Sequence, residues 1–341
     1  MPRSSVSPPP SPAPPLGALL RRYAAGAPLA CEPVDQGLLN RGYRLATTRG
    51  RYFLKHHFDP ETADPAAIAR QHRATQRLAD LGVPVAPPLT GTDGRTVAVI
   101  GGHAYALHPW IDGRHRSGAQ LTTEQCRRLG ALLGVVHASL ERVMPPRRSE
   151  ERAESADPSD TFALIDDLLA RVRRHRPADA FDELASHRLL ERRALLERHA
   201  DRRPPQGGSV GWVHGDFHPF NVLYRGDTPA AIVDWDRLGV QPQAEEAVRS
   251  AVIFFVRPAG TLDLTKVRAY ARAYRRSARA TPSELSAAVH RVWWERLNDF
   301  WILRWHYERR DTRADPQFPA ASALAVWWTR EYDAVCEAFV G

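Results

Sequence analysis

The sequence predicts an α+β fold in two lobes, a small antiparallel sheet with one main helix followed by a larger, mainly helical part. Three observations carry this expectation. Up to Leu107 the chain is dominated by short strand-forming runs separated by Gly- and Pro-containing turns. From Leu121 onward apolar residues recur at helical spacing instead. A single hairpin pattern, between Trp212 and Asp236, interrupts the helical part. A length of 341 residues with 43% hydrophobic residues suits two lobes, each with its own core.

Residues 1–15 read as a Pro-rich flexible arm, a stretch without the apolar run expected of a secretory signal. Leu16–Ala25 has the pattern of a short amphipathic helix. Cys31–Asp35, Tyr43–Thr47 and Arg51–His56 have strand character. Asp64–Leu81 is predicted as the main helix, with Ala67, Ala74, Leu78 and Leu81 at helical spacings and Gly82 and Pro84 as the stop. Val83–Leu89 leads into a strand, Thr92–Arg95 is a turn, and Thr96–Ile100 and Ala104–Leu107 are strands about Gly101-Gly102. At 107–113 the chain leaves the sheet as a hinge. This gives an N-lobe at 16–107 and a C-lobe at 108–341.

In the second lobe Cys126, Leu129, Leu132, Leu133, Val136 and Leu140 form an apolar stripe, with Thr122 or Thr123 as N-cap and His137 packed beside it. Met144–Asp157 is a polar connector. Phe162–Arg174 and Phe181–His199 are amphipathic helices whose paired arginines, Arg173-Arg174 and Arg192-Arg193, lie on solvated faces or meet an anionic substrate. Beyond the hairpin come a turn at Arg237–Pro242 and helices at Ala244–Val256, Leu264–Ala278, Pro282–Arg310 and Phe318–Phe339. Trp294, Trp301 and Trp305 fall at helical spacings and read as core, or as rings that stack on a base or acceptor. Glu295, Asp299 and Asp311 are the acids that could line such a wall.

Composition removes several function classes. No apolar run reaches membrane-spanning length. Cys31, Cys126 and Cys336 are few and widely spaced, which fits a reduced cytoplasmic protein and no disulfide framework. The net charge of +8 comes almost wholly from arginine, since only Lys55 and Lys266 are lysines. Those arginines are interleaved with Glu and Asp on presumed helices, so no nucleic-acid surface is expected. A basic chain also points to a neutral or anionic partner, because a polycationic one would want an acidic lining. There are no internal repeats and no zinc-ligand spacings. The absence of a Gly-Lys-Ser/Thr phosphate loop excludes the common P-loop route to phosphoryl transfer.

The chemistry sits in the hairpin. Asn221–Tyr224 and Ala230–Val233 read as its strands, with Gly226–Pro229 as the turn. Asp216 lies on the loop before it, Asn221 at the start of the first strand and Asp234 at the end of the second, so a hairpin brings the three together. An amide oxygen and a carboxylate are hard ligands suited to Mg2+. The other carboxylate, Asp216, is left to orient a hydroxyl and accept its proton. This order of Asp, Asn and Asp is the kinase arrangement. Asp236 shares the face of Asp234 if the strand continues and points elsewhere if it has ended, so its part in a second metal site stays open.

His214-Gly-Asp-Phe-His-Pro-Phe-Asn-Val-Leu223 followed by Ile232-Val-Asp-Trp-Asp236 resembles the aminoglycoside phosphotransferase family. That family also holds choline, homoserine and other small-molecule kinases of protein-kinase-like fold. The resemblance implies Asp216 as the catalytic residue, Asn221 and Asp234 as metal ligands, and ATP or GTP with Mg2+ as cofactors. It implies that Lys55, a retained lysine in an arginine-rich chain, holds the nucleotide phosphates. Gly37 and Asn40, with Tyr43 and Arg44, resemble the family's glycine loop, and His108 and Trp110 stand at the hinge that would meet a purine edge. The usual helix glutamate that orients the lysine is missing from 64–81; Gln71, Glu61, Asp64 or His72 would have to substitute. Glu245 and Glu246 stand near a loop-anchoring position.

The expected function is therefore a cytoplasmic small-molecule kinase that phosphorylates a hydroxyl, with an antibiotic of neutral or anionic character among the acceptors. A metabolic kinase of homoserine, choline or sugar type and a non-catalytic nucleotide-binding protein are the alternatives. A protein kinase is not expected: the loop reads His-Gly-Asp, the metal motif Asp-Trp-Asp, and no Ala-Pro-Glu follows. The sequence predicts neither nucleic acid nor membrane as partner, and it leaves the oligomeric state open.

Overall fold

The computed structural model describes residues 13–34, 40–58, 63–145, 155–205 and 210–341, and the chain divides into two compact units, 1–112 and 113–341. Gly37 and Glu61 lie outside the described residues.

In the first unit α1 (Leu16–Arg22) precedes β1 (Pro28–Val34), β2 (Arg41–Thr47) and β3 (Gly50–His57). Then come α2 (Pro65–Asp80), β4 (Ala98–Ile100) and β5 (His103–Pro109). The strands make one antiparallel sheet in the order β1-β2-β3-β5-β4. Leu45, Leu54, Tyr105 and Leu107 pack with Leu19 and Leu20 of α1. Ile68 of α2 packs with Val97 and Ala104. Strand residues alternate sides, so Lys55 faces away from Leu54. It stands on a central strand, opposite Gly42 of β2 and Ala106 of β5.

The start of α2 is set by Asp64, whose carboxylate accepts from Ala66 N at 3.1 Å and Ala67 N at 3.0 Å ahead of Pro65 at the first helical position. Val83–Leu89, expected to lead into a strand, forms only an isolated bridge at Val85. Pro84, Pro87 and Pro88 have no N–H to give a ladder, and Leu89 N meets Leu107 O at 2.7 Å as a single contact. β5 runs on to Pro109, so the chain leaves the sheet two residues beyond the predicted Leu107.

His72, on α2, is buried with its Nδ1 2.8 Å from Thr96 Oγ1. Burial first, then the nearby charges of His108 and Lys55, lower its pKa to about 3. Its folded value lies below its unfolded one, so this contribution to stability is complete above the unfolded value near 6.5 and is lost as pH falls toward about 3. At pH 5 the loss should be about 2 kcal/mol from this side chain. Guanidinium unfolding at pH 7.5 and pH 5 measures it as the amount by which His72→Gln reduces the difference between the two.

The second unit opens with β6 (Arg114–His115), α3 (Thr123–Val143), α4 (Pro158–Arg174) and α5 (Ala180–His199). β7 (Val210–Val213), β8 (Val222–Arg225), β9 (Thr228–Ile232) and β10 (Gly239–Pro242) follow. The rest is helical: α6 (Gln243–Phe255), α7 (Leu264–Ala278), α8 (Pro282–Asn298), α9 (Trp301–Arg304), α10 (Phe318–Arg330) and α11 (Tyr332–Val340). Thr122 caps α3 reciprocally with Gln125. α3 crosses α7 so closely that a Cβ on Gly130 would stand 2.1 Å from Tyr270 O. Two small sheets, β6-β8-β9 and β7-β10, lie within this helical frame.

Three local expectations change. Arg192 is not solvated: it is 5% exposed, its guanidinium donates to Arg296 O and Leu297 O, and it lies over the Phe300 ring. It thus supplies donors to the carbonyls at the end of α8. Arg193 is the surface member of the pair, bridged to Asp166 and Glu197. The predicted helix Pro282–Arg310 stops at Asn298, because Asp299 accepts from Trp301 N at 3.0 Å and starts a new turn. That turn ends in a π-helical segment, Trp305–Arg309. Phe318–Phe339 likewise breaks at Glu331. Trp294 is core, whereas Trp301 and Trp305 are half-exposed and meet edge to face at 5.3 Å. Among the described residues no helix is long and apolar enough to cross a membrane.

Candidate active site

Two loops build the site in the second unit. The first, residues 214–221, joins β7 to β8; the second, 233–238, joins β9 to β10. Both ends of both loops are fixed by pairing: Val213 opposes Gly239, and Val222 opposes Ile232. β10 occupies the predicted turn at Arg237–Pro242, and β7 is a strand that no sequence pattern marks. Their pairing holds the two loops side by side.

The loops are then tied directly. Val233 N donates to Asn221 O at 3.0 Å. His214 Nε2 donates to Val233 O at 3.0 Å, which leaves Nδ1 to accept from Asp216 N at 3.2 Å. Burial lowers the His214 pKa, in keeping with a neutral ring carrying its proton on Nε2. Gly215 has φ +85°, and a Cβ there would lie 2.1 Å from Arg237 O on the other loop. These contacts set Asp234 one residue beyond Val233, beside Asn221. Asp234 takes a left-handed conformation, φ +61°, and is exposed. The strand has ended at Ile232, so Asp236 lies in the turn closed by Leu238 N to Trp235 O at 3.0 Å, and alternation does not set its direction.

Asn221 is 5% exposed and its Nδ2 donates to Asp216 O at 2.8 Å. That bond fixes the amide so that Oδ1 is the atom offered as a ligand. Asp216 is half-buried. Burial pushes its carboxyl pKa up, but the hydrogen bond from His218 and the charges of His218 and Arg237 outweigh this and hold it below the usual carboxylate range. His218 Nε2 lies 3.5 Å from Asp216 Oδ2, and its Nδ1 accepts from Phe220 N at 3.2 Å. Asp216 is therefore ionised at neutral pH and is positioned through its backbone by His214 and Asn221.

Beneath the first loop lies Glu246 of α6, 3% exposed. One carboxylate oxygen accepts from Gly215 N. The other accepts from His214 N at 3.2 Å and from His137 Nε2 at 2.7 Å. His137 continues to Tyr274 OH at 3.1 Å. Burial raises the Glu246 pKa, but these partners, His137 foremost, bring it below the ordinary value. Ser250, one turn on, donates to Phe217 O at 2.8 Å. Of the two acids proposed as loop anchors, Glu246 does this, while Glu245 pairs with Arg249 and Arg291. His218 and Ser250 carried no signal beyond their place near Asp216 and Glu246.

In the first unit, Lys55 is at the edge of burial, and its charge acts on His72. Two of the four candidate partners are used otherwise: Asp64 spends both oxygens on its helix cap, and His72 is neutral and bonded to Thr96. Gln71 is half-buried on α2, and Asn40 half-buried just ahead of β2. His108 Nδ1 meets Ala86 O at 2.9 Å, and Trp110 N donates to Arg51 O at 3.1 Å. Trp110 would thus offer a base its carbonyl rather than its N–H. Lys266, the other lysine, caps carbonyls of Gly118 and Ala119.

The model of the phosphotransferase enzyme family matches residues 30–280. A homoserine kinase from Methylobacillus flagellatus is 27% identical over 294 residues, covering 83% of each chain. Among solved structures, an amicoumacin kinase in complex with AMP-PNP and Ca2+ superposes with a TM-score of 0.61 at 17% identity, covering 91% of this chain and 90% of that one. Spectinomycin phosphotransferase in complex with ADP and spectinomycin also gives 0.61, at 14% identity over 95% and 96%. At these identities the likeness to the solved structures is one of fold, two-lobed and kinase-like.

Proposed function

We propose, because the chain belongs to the phosphotransferase enzyme family, that it transfers the terminal phosphoryl group of ATP or GTP to a hydroxyl of a small hydroxy amino acid or amino alcohol. The observation that carries the chemistry is the tie between the two loops. It sets an ionised Asp216, the Asn221 amide and the Asp234 carboxylate on adjoining backbone. Asp216 orients the acceptor hydroxyl and takes its proton as the new oxygen–phosphorus bond forms. The transition state for this transfer is loose, so most of the acceleration comes from positioning and charge neutralisation.

Asn221 Oδ1 and the Asp234 carboxylate are hard oxygen donors and fit Mg2+, which prefers few protein ligands and keeps waters. When bound, that ion supplies neutralisation of phosphate charge. Lys55 is assigned to the nucleotide phosphates, with Gln71 as its partner on α2. Gly37 and Asn40 are assigned to the same phosphates, and His108 and Trp110 to the base.

The homoserine kinase relative supports an amino-acid acceptor. An antibiotic acceptor is the second reading, supported by the likeness in fold to two antibiotic kinases. ADP release over a panel of hydroxy amino acids, amino alcohols, sugars and antibiotics separates them. Homoserine or a close analogue should give the highest kcat/KM, and chelating the divalent ion should abolish release. Turnover of antibiotics alone would overturn the assignment of the acceptor.

A further inference from the structure

A second cluster of ligating side chains lies apart from the two loops, where the end of α4, the start of α5 and the π-helical turn after α9 meet. His175 follows the last residue of α4, Asp182 is in the first turn of α5, and His306 lies in Trp305–Arg309. Each of the three offers one ligand atom, and these atoms all lie within 4.8 Å of one another. From these positions we infer a binding site for a divalent transition-metal ion, of which Zn2+ is the type, built on His175, Asp182 and His306.

Ligands about 2.1 Å from a common four-coordinate ion stand about 3.4 Å apart, so the side chains must close by up to about 1.4 Å to complete the set. Two imidazoles and one carboxylate select Zn2+ over Mg2+, which wants oxygen alone. The surroundings also suit ligation. His306 Nδ1 is held by Asp315 Oδ2 at 2.8 Å, which leaves Nε2 for the ion, and Asp315 Oδ1 is buried with no hydrogen-bond partner. A carboxylate behind a ligating imidazole is the usual outer support of such ions. Tyr307 OH donates to Asp182 Oδ1 at 2.7 Å and fixes that carboxylate, while His175 Nδ1 lies 2.9 Å from Oδ2. Phe181 stacks on the His306 ring at 4.2 Å and sets its plane. Asp182 is 4% exposed, whereas the His175 side chain is 38% exposed, so an ion has both an anionic floor and a way in. An open fourth position is left for water. Bound there, the ion would clamp the α4–α5 pair to the π-helical turn.

The test uses the full chain, dialysed against a chelator and titrated with Zn2+ against a chromophoric competitor, with Co2+ as a spectroscopic substitute. One equivalent should bind in the wild type and raise Tm, and Co2+ should give the strong visible bands of a four-coordinate site. His175→Ala and His306→Ala should each lose this equivalent, Asp315→Asn should weaken it about 10–100-fold, and Asp234→Asn should leave it intact. His175 is at the surface, so its variant should keep the wild-type circular dichroism even if the His306 variant does not fold. Absence of a bound equivalent in the wild type, or binding unchanged in His175→Ala, would overturn the site.

Discussion

Asp216→Asn should lower kcat by about 10³-fold or more while nucleotide affinity stays within a few-fold of wild type. The exchange is isosteric, so the loop keeps its shape: Asp216 is held through its own N–H on His214 and its carbonyl on Asn221. What disappears is the negative charge that His218 and Arg237 stabilise. An amide cannot take the proton of an attacking hydroxyl, and its NH2 group would present a donor where an acceptor is needed. Steady-state kinetics with nucleotide binding measured by calorimetry separates the two effects. A variant with near-normal turnover would remove Asp216 from its role.

Glu246→Ala should be the most damaging single change to stability near the site, by about 3–5 kcal/mol. The carboxylate serves two backbone N–H groups of the catalytic loop and His137 at once, in a place closed to water. Its removal leaves the two N–H groups and His137 Nε2 without a partner in a buried space, with only His137 Nδ1 still bonded, to Tyr274. Glu246→Gln keeps the shape and part of the acceptor capacity, and should cost about 1–3 kcal/mol. It should also lower kcat, since Gly215 and His214 set where Asp216 stands. Denaturant unfolding of both variants, with kcat measured on the glutamine form, gives the comparison. Wild-type stability in Glu246→Ala would show that the loop holds itself.

The site was legible in the sequence to the extent that its order is local. Asp216, Asn221 and Asp234 lie within one hairpin and its flanks, and a hairpin of two strands and a short turn is written in neighbouring residues. The β7–β10 pairing was not legible. Val210–Val213 is a four-residue strand whose partner lies beyond the whole hairpin, so no local period marks either. Glu245 and Glu246 are adjacent and chemically alike; only the phase of α6 turns the second inward. Arg192 and Arg193 differ in the same way, one ending a helix that lies far off in sequence and the other at the surface. The cluster of His175, Asp182 and His306 has no ligand spacing to find, because a π-helical turn 124 positions after Asp182 supplies the third member. The α+β division, in contrast, follows from periodicity over long stretches, and its errors fall at proline-rich Val83–Leu89 and at the break after Asn298.

The left-handed backbone of Asp234 narrows what evolution can place there. Glycine suits the torsion but has no carboxylate; asparagine tolerates it but is neutral; glutamate is charged but is not among the residues that enter this region readily. Aspartate alone meets both the torsion and the carboxylate that the proposed metal-ligand role needs. As a proposed metal ligand, the position thus has no neutral neighbours in mutational space.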